Sequence, residues 1–309
     1  MVAYNSADEA LINNFSQIDI EIDPFHKVVW VYQNPSPRPC FNPHLIEEVR
    51  TVQILLDRYD GRLPYRGELV PIHYHVLDSR SPGIFSMGGD LNLFQDHIIR
   101  QDRQGLLEYA KSCIDTIFGF IIGCRLPITT ISLVRGDALG GGFEVALSSQ
   151  VVIAESQAEM GFPEILFNLF PGMGGYHLLS RRLPAIQVEK MMLDGLRYSS
   201  RSLYEMGVVD TLVEKGRGRE AVYAYIRNCE KFRNGFMAMK HVREKVHPVS
   251  YEELIEVCNY WVEVAMKLSD RDLRLMQRLV NGQNRKVTNL FREQEVIEEA
   301  QFTYQVSNG

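Results

Sequence analysis

Two glutamates stand twenty residues apart in glycine-rich settings, Glu144 in Gly140-Gly141-Gly142-Phe143-Glu144 and Glu164 in Gly161-Phe162-Pro163-Glu164. Carboxylates that share a cleft can divide acid and base work, because repulsion and burial raise one pKa until one group holds a proton near neutral pH. Such a pair would suit general acid–base chemistry, one group taking a proton while the other gives one. The sequence does not fix which glutamate is which.

Three segments hold more glycine than turns require: 85–90 with Gly88-Gly89-Asp90, 136–144 with Gly140-Gly141-Gly142, and 161–175 ending in Pro171-Gly172-Met173-Gly174-Gly175. Glycine lets backbone approach a ligand closely. Gly140 to Gly142 directly precede a helical pattern, so their N–H groups point out of a helix N-terminus, where partial positive charge favours an anion. Gly141 and Glu144, three apart, share a helical face, which sets a carboxylate beside an oxyanion donor. A phosphate cradle is the rival, but GxxxxGK[ST] and GxGxxG are absent and no lysine follows the triplet. A packing turn is the third alternative.

The elements that must position these residues alternate between periods of 2 and 3.6. Residues 17–33 read as two strands turned at Asp23-Pro24, and 43–59 as an amphipathic helix capped by Asn42. A strand is expected over 69–77, one helical region over 91–123, strands over 128–134 and 151–154, and a short helix through Leu147. Beyond Pro184 the pattern is helical over 185–193, 200–206, 220–233 and 251–268, with a brief strand near 208–213. From about Asn281 the chain is polar and reads as a loosely held helix or tail. Strands alternating with helices through glycine-rich loops indicate an α/β fold.

Composition narrows the function classes. A net charge of -6 over 309 residues argues against a nucleic-acid binder. No apolar run reaches membrane-span length and the first twenty residues lack a secretory pattern, so a cytoplasmic location is expected. Cys40, Cys113, Cys124, Cys229 and Cys258 show no CxxC spacing and read as reduced, mostly buried thiols, and no metal or cofactor is expected.

Together the three glycine-rich segments resemble the signature of the crotonase (enoyl-CoA hydratase/isomerase) superfamily over about residues 15–270. The resemblance implies a crotonase (ClpP/crotonase-like) α/β spiral of ββα units with a helical C-terminal region. It divides the chain into a core over 1–200, helices over 201–280 and a polar tail over 281–309. It makes Gly89 and Gly141 the oxyanion donors, Glu144 and Glu164 the catalytic pair, and implies a trimer or a dimer of trimers.

The runs 138–146 (ALGGGFEVA), 160–167 with 170–174, Tyr260-Trp261-Val262 with Ala265-Met266, Phe85 to Leu91 and Ile72 to Val76 are similar to diffusible signal factor synthases. That similarity implies a 3-hydroxyacyl group on acyl carrier protein, dehydrated and then hydrolysed to a free cis-2-unsaturated fatty acid signal of quorum sensing. Met87, Gly88, Leu139, Gly140, Met173 and Trp261 would contact the substrate, with Phe143 beside them. The alternatives are an enoyl-CoA hydratase of fatty-acid metabolism acting on acyl-CoA, and a regulatory protein docking on a sensor kinase receiver domain.

Other polar residues carry plainer readings. Asp90 is expected to cap its loop, and His73, His75 and His177 to be packed or surface histidines. Arg181, Arg182, Arg217, Arg219, Arg233, Lys240, Arg243 and Lys245 are read as scattered solvated charges before they are read as a carrier-protein track.

Overall fold

The computed structural model describes residues 3–307 in backbone, and residues 3–290 and 292 in side chain. A short helix α1 (Ser6–Asn13), capped by Asn5, leads into an antiparallel pair, β1 (Ile18–Asp23) and β2 (Val28–Gln33). Helix α2 (Pro43–Arg58) starts as its sequence dictates, with the Asn42 side chain accepting the Leu45 N–H at 2.9 Å and Pro43 in the first turn.

The stretch expected as one strand over 69–77 divides. Its first half closes a hairpin of β3 (Arg62–Tyr65) and β4 (Glu68–Pro71), and its second half is β5 (Tyr74–Ser79) in the main sheet. The hairpin turns on Arg66 (φ 52°) and Gly67 (φ 84°), the two positive-φ positions of a tight two-residue loop.

From β5 onward the chain repeats one move three times. A strand in the large sheet is followed by a short strand in a second sheet: β5 by β6 (Ile84–Ser86), then, after α3 (Leu91–Ile99) and α4 (Arg103–Ile121), β7 (Thr129–Val134) by β8 (Asp137–Leu139). After α5 (Gly141–Ser148), β9 (Val151–Glu155) is followed by β10 (Glu159–Gly161). The ββα spiral implied by the resemblance is thus present. The single helical region expected over 91–123 is two helices, because Gln101 takes φ 55° and Asp102 caps a new start by accepting the Gly105 N–H.

A 3-10 turn (Glu164–Phe167) precedes α6 (Gly175–Leu179), α7 (Ala185–Asp194), β11 (Arg197–Ser199), α8 (Ser200–Glu205) and β12 (Thr211–Val213). The large sheet runs β1-β2-β5-β7-β9-β12 and the second β11-β10-β8-β6. Strands β2, β5, β7 and β9, with apolar residues on both faces, are buried between helices, as parallel strands require.

Helices α9 (Gly218–Lys231), α10 (Arg233–Val246), α11 (Tyr251–Ala265) and α12 (Asp270–Ser307) complete the chain. Helix α10 buries none of its residues, and its cations hold it to the sheet: Lys240 donates to the Ile128 carbonyl and Arg243 to that of Gln150. The polar tail expected over 281–309 is, over 281–290, a continuous part of α12, while the side chains of 291 and 293–309 lie outside the described residues. All five cysteines are buried and free. Among the described residues no helix is long and apolar enough to cross a membrane, and no group of three or more His, Cys, Asp or Glu is placed to hold a metal.

Candidate active site

Strands β6 and β8 are parallel neighbours, and each ends in a glycine-rich turn. Met87, Gly88 (φ 91°) and Gly89 follow β6; Gly140 (φ 55°) follows β8 and opens α5 at Gly141. The amide of Gly141 is at the free N-terminus of α5. The two turns touch: a Cβ placed on Gly141 would stand 3.2 Å from the Gly89 amide nitrogen, and one on Gly88 would stand 3.1 Å from that of Gly141. The two glycine turns therefore lie side by side.

Glu144 comes from the first turn of α5 and is 1% exposed. Its Oε1 accepts the N–H groups of Met173 at 2.7 Å and Gly175 at 2.8 Å, which is the work of the Gly172-Met173-Gly174-Gly175 turn. Burial pushes its pKa up to about 7, against the pull of those two donors. Glu164 opens the 3-10 turn after β10, and its Oε1 sits against the bare α-carbon of Gly140, 2.5 Å from where a side chain would begin. A Cβ there would have to push the Glu164 carboxyl aside, and the positive φ of Gly140 disfavours a side chain in its own right. Among the described residues the buried Glu164 Oε2 has no hydrogen-bond partner. Burial, then the charge of Glu144, holds the Glu164 pKa well above the carboxylate range.

Glu144, Glu164, Gly89 and Gly141 line one cleft. Met87, Gly88, Gly140, Met173 and Trp261 are also on its wall. Leu139 is not: its side chain packs with Ile84 and Met87 against Val287 and Leu290 of α12. Phe143 is likewise turned into the core, against Phe162 at 5.0 Å between ring centres. Asp90 caps α3 through the Asn92 and Leu93 N–H groups and pairs with Arg38, the capping role expected of it.

The far wall holds residues that sequence reasoning missed. Phe94, Tyr109, Ala110 and Cys113 from α3 and α4 close the apolar end, with Phe94 edge-on to Trp261 at 5.1 Å. Leu279 and Gln283 of α12 close another side. Nothing local marks these positions, since an apolar helix residue facing a cleft has the same spacing as one facing core. The arrangement suits an apolar chain ending in a carbonyl whose oxygen meets two amides and whose neighbouring carbons meet two carboxyl groups.

The scattered cations mostly serve their own body: Arg182 pairs with Asp210, Arg217 with Glu220, Arg219 with Glu21 and Arg233 with Glu230. His73 bonds Glu230 and His75 is fully buried in β5.

The sequence profile described as Enoyl-CoA hydratase/isomerase matches residues 72–276. The chain is 27% identical over 168 residues to the peroxisomal fatty acid beta-oxidation multifunctional protein AIM1 of Arabidopsis thaliana, covering 54% of this chain and 23% of that one. It therefore spans about a quarter of that relative's length. The enoyl-CoA hydratase of Bacillus halodurans superposes with a TM-score of 0.68 at 19% identity, over 85% of this chain and 100% of the other. Human mitochondrial delta3-delta2-enoyl-CoA isomerase also gives 0.68, at 16% identity over 88% and 99%. The likeness to these structures is one of fold, and it does not choose between their reactions.

Proposed function

The chain belongs to the enoyl-CoA hydratase/isomerase family, and we propose that it moves water on and off a fatty acyl thioester through Glu144 and Glu164, with Gly89 and Gly141 holding the thioester oxygen. One observation supports this reading: two buried glutamates and the two touching glycine turns that carry Gly89 and Gly141 line the same apolar cleft.

The pair shares one proton. With Glu164 protonated and Glu144 ionised, water bound at Glu144 gives it a proton and attacks C3, while Glu164 delivers its proton to C2. Dehydration runs the same path backwards: ionised Glu164 takes the C2 proton, and protonated Glu144 gives its proton to the leaving hydroxyl as the C3–O bond breaks. In both directions charge builds on the thioester oxygen, where each amide donor contributes about 3 kcal/mol to lowering the barrier. The bare Oε2 of Glu164 leaves that carboxyl free to face C2.

The finer reading is dehydration of a 3-hydroxyacyl group on acyl carrier protein, followed by release of the free cis-2-unsaturated acid. The resemblance of segments 85–91, 138–146 and 160–167 with 170–174 to diffusible signal factor synthases favours it. Hydrolysis would reuse the same parts: water attacks the thioester carbon, its oxygen again meets Gly89 and Gly141, Glu144 takes the water's proton and Glu164 protonates the departing thiolate.

Mass spectrometry of products from 3-hydroxyacyl groups on carrier protein and on coenzyme A tests both levels. Free unsaturated acid from the carrier-protein substrate is expected. Enoyl product without free acid would reduce the function to hydratase chemistry, and neither product from either carrier would remove the reading.

A further inference from the structure

Helix α12 continues past the point where the sequence turns polar, and one of its faces explains why. Leu279, Gln283, Lys286, Val287 and Leu290 recur at spacings of three and four, the stripe a helix presents to one neighbour. That neighbour is the pair of segments that lead into the Gly88-Gly89 and Gly140-Gly141 turns. Gln283 Nε2 donates to the Met87 carbonyl at 3.3 Å. Lys286 is ion-paired with Asp137, a buried residue that also pairs with Arg197 at 3.2 Å. Val287 and Leu290 pack on Ile84, Met87 and Leu139 together.

Each contact falls just upstream of a donor. Met87 is two residues before Gly89, and Leu139 is two residues before Gly141. β6 and β8 are only three residues long each, and the register between them shifts at Ile84/Ser86. Such a short pairing fixes their relative height weakly. A helix bonded to both fixes it better.

We propose that α12 is a strap that sets the spacing of the two oxyanion donors, with Gln283 and Lys286 as positioning residues. The proposal rests on the reading of Gly89 and Gly141 given above. Gln283 also lines the cleft, so the strap and the cavity wall are one surface. The polar composition of this stretch is then a fit to a carbonyl and a buried carboxylate.

The test compares Gln283→Leu, Lys286→Met and Lys286→Arg in the full chain, by steady-state kinetics and by hydrogen exchange of segments 84–90 and 137–142. Displaced donors weaken the transition state more than substrate binding. Gln283→Leu and Lys286→Met are therefore expected to lower kcat by roughly ten- to a hundredfold with KM nearly constant. Exchange in both segments should rise about fivefold. Lys286→Arg, which keeps the ion pair, should restore both. Exchange that stays at the wild-type level, or a rise in KM alone, would reduce α12 to a wall and overturn the proposal. Should Lys286→Met fail to fold, Gln283→Leu, at a partly exposed position, decides alone. Altered exchange in a chain that turns over no acyl thioester would uphold the strap and remove the functional reading instead.

Discussion

Glu144 and Glu164 share one buried cleft without sharing one environment. Two backbone N–H groups converge on Glu144 Oε1 at 2.7 and 2.8 Å, whereas Glu164 Oε2 has no partner among the described residues. The Pro171-to-Gly175 turn thus favours charge on Glu144 and leaves the proton to Glu164.

The pH dependence follows from that division. kcat/KM for hydration should rise with pH as Glu144 ionises near 7, then fall once Glu164 loses its proton at higher pH. In Glu144→Gln the rising limb should vanish. A rising limb that persists in that variant would assign it to another group.

Removing a buried carboxylate should trade activity for stability. The folded pKa of Glu164 lies above its unfolded value, so the wild-type chain loses stability as pH climbs above the ordinary glutamate range. Glu164→Gln is expected to melt higher than wild type, by a margin that grows from pH 5 to pH 8, while kcat falls about 10²- to 10⁴-fold. Calorimetry across that range reads the first effect; an equal or lower melting temperature at pH 8 counts against the burial argument.

A side chain at Gly140 would displace the Glu164 carboxyl. Alanine there must hold φ near 55° and place its Cβ 2.5 Å from Glu164 Oε1. The strain should cost about 1–3 kcal/mol, and the displaced carboxyl should lower kcat well beyond what the stability loss explains. A Gly140→Ala chain with wild-type kcat would show that Glu164 is free to move.

Buried His75 has neither ring nitrogen bonded among the described residues, and its ring packs on Phe120 at 4.9 Å between centres. Burial lowers its pKa to about 4. Its contribution is therefore intact above the ordinary histidine pKa and is lost as pH falls from there toward 4. His75→Leu should stabilise the chain by about 1–3 kcal/mol and flatten that part of the pH profile, with activity unchanged. Denaturant melts at pH 5 and pH 7.5 make the comparison; destabilisation at both would mean the imidazole has a partner.

Much of this was legible in the chain. The Gly140-Gly141-Gly142 run before a helical pattern pointed to a helix N-terminus, and Glu144 falls in the first turn of that helix. Glu164 was legible only through the joint pattern, because nothing in periodicity says that a residue after β10 folds back onto Gly140. The hairpin of β3 and β4 was hidden because 69–77 reads as one strand, although Pro71, which has no N–H to donate, marks the break between β4 and β5. Leu139 and Phe143 were read as facing substrate, but Leu139 packs against α12 and Phe143 against Phe162 in the core, apolar partners that spacing does not distinguish from a ligand. The α12 face was least legible, since its partners are a carbonyl and a buried aspartate from distant segments.

Deuterium uptake at C2 is the most direct measurement of the central claim, because transfer of the C2 proton is the step that builds charge on the thioester oxygen. Wild-type chain incubated with a 3-hydroxyacyl or enoyl thioester in D2O should place deuterium at C2, and Glu164→Gln should suppress this by orders of magnitude. Undiminished exchange in the variant would contradict the account.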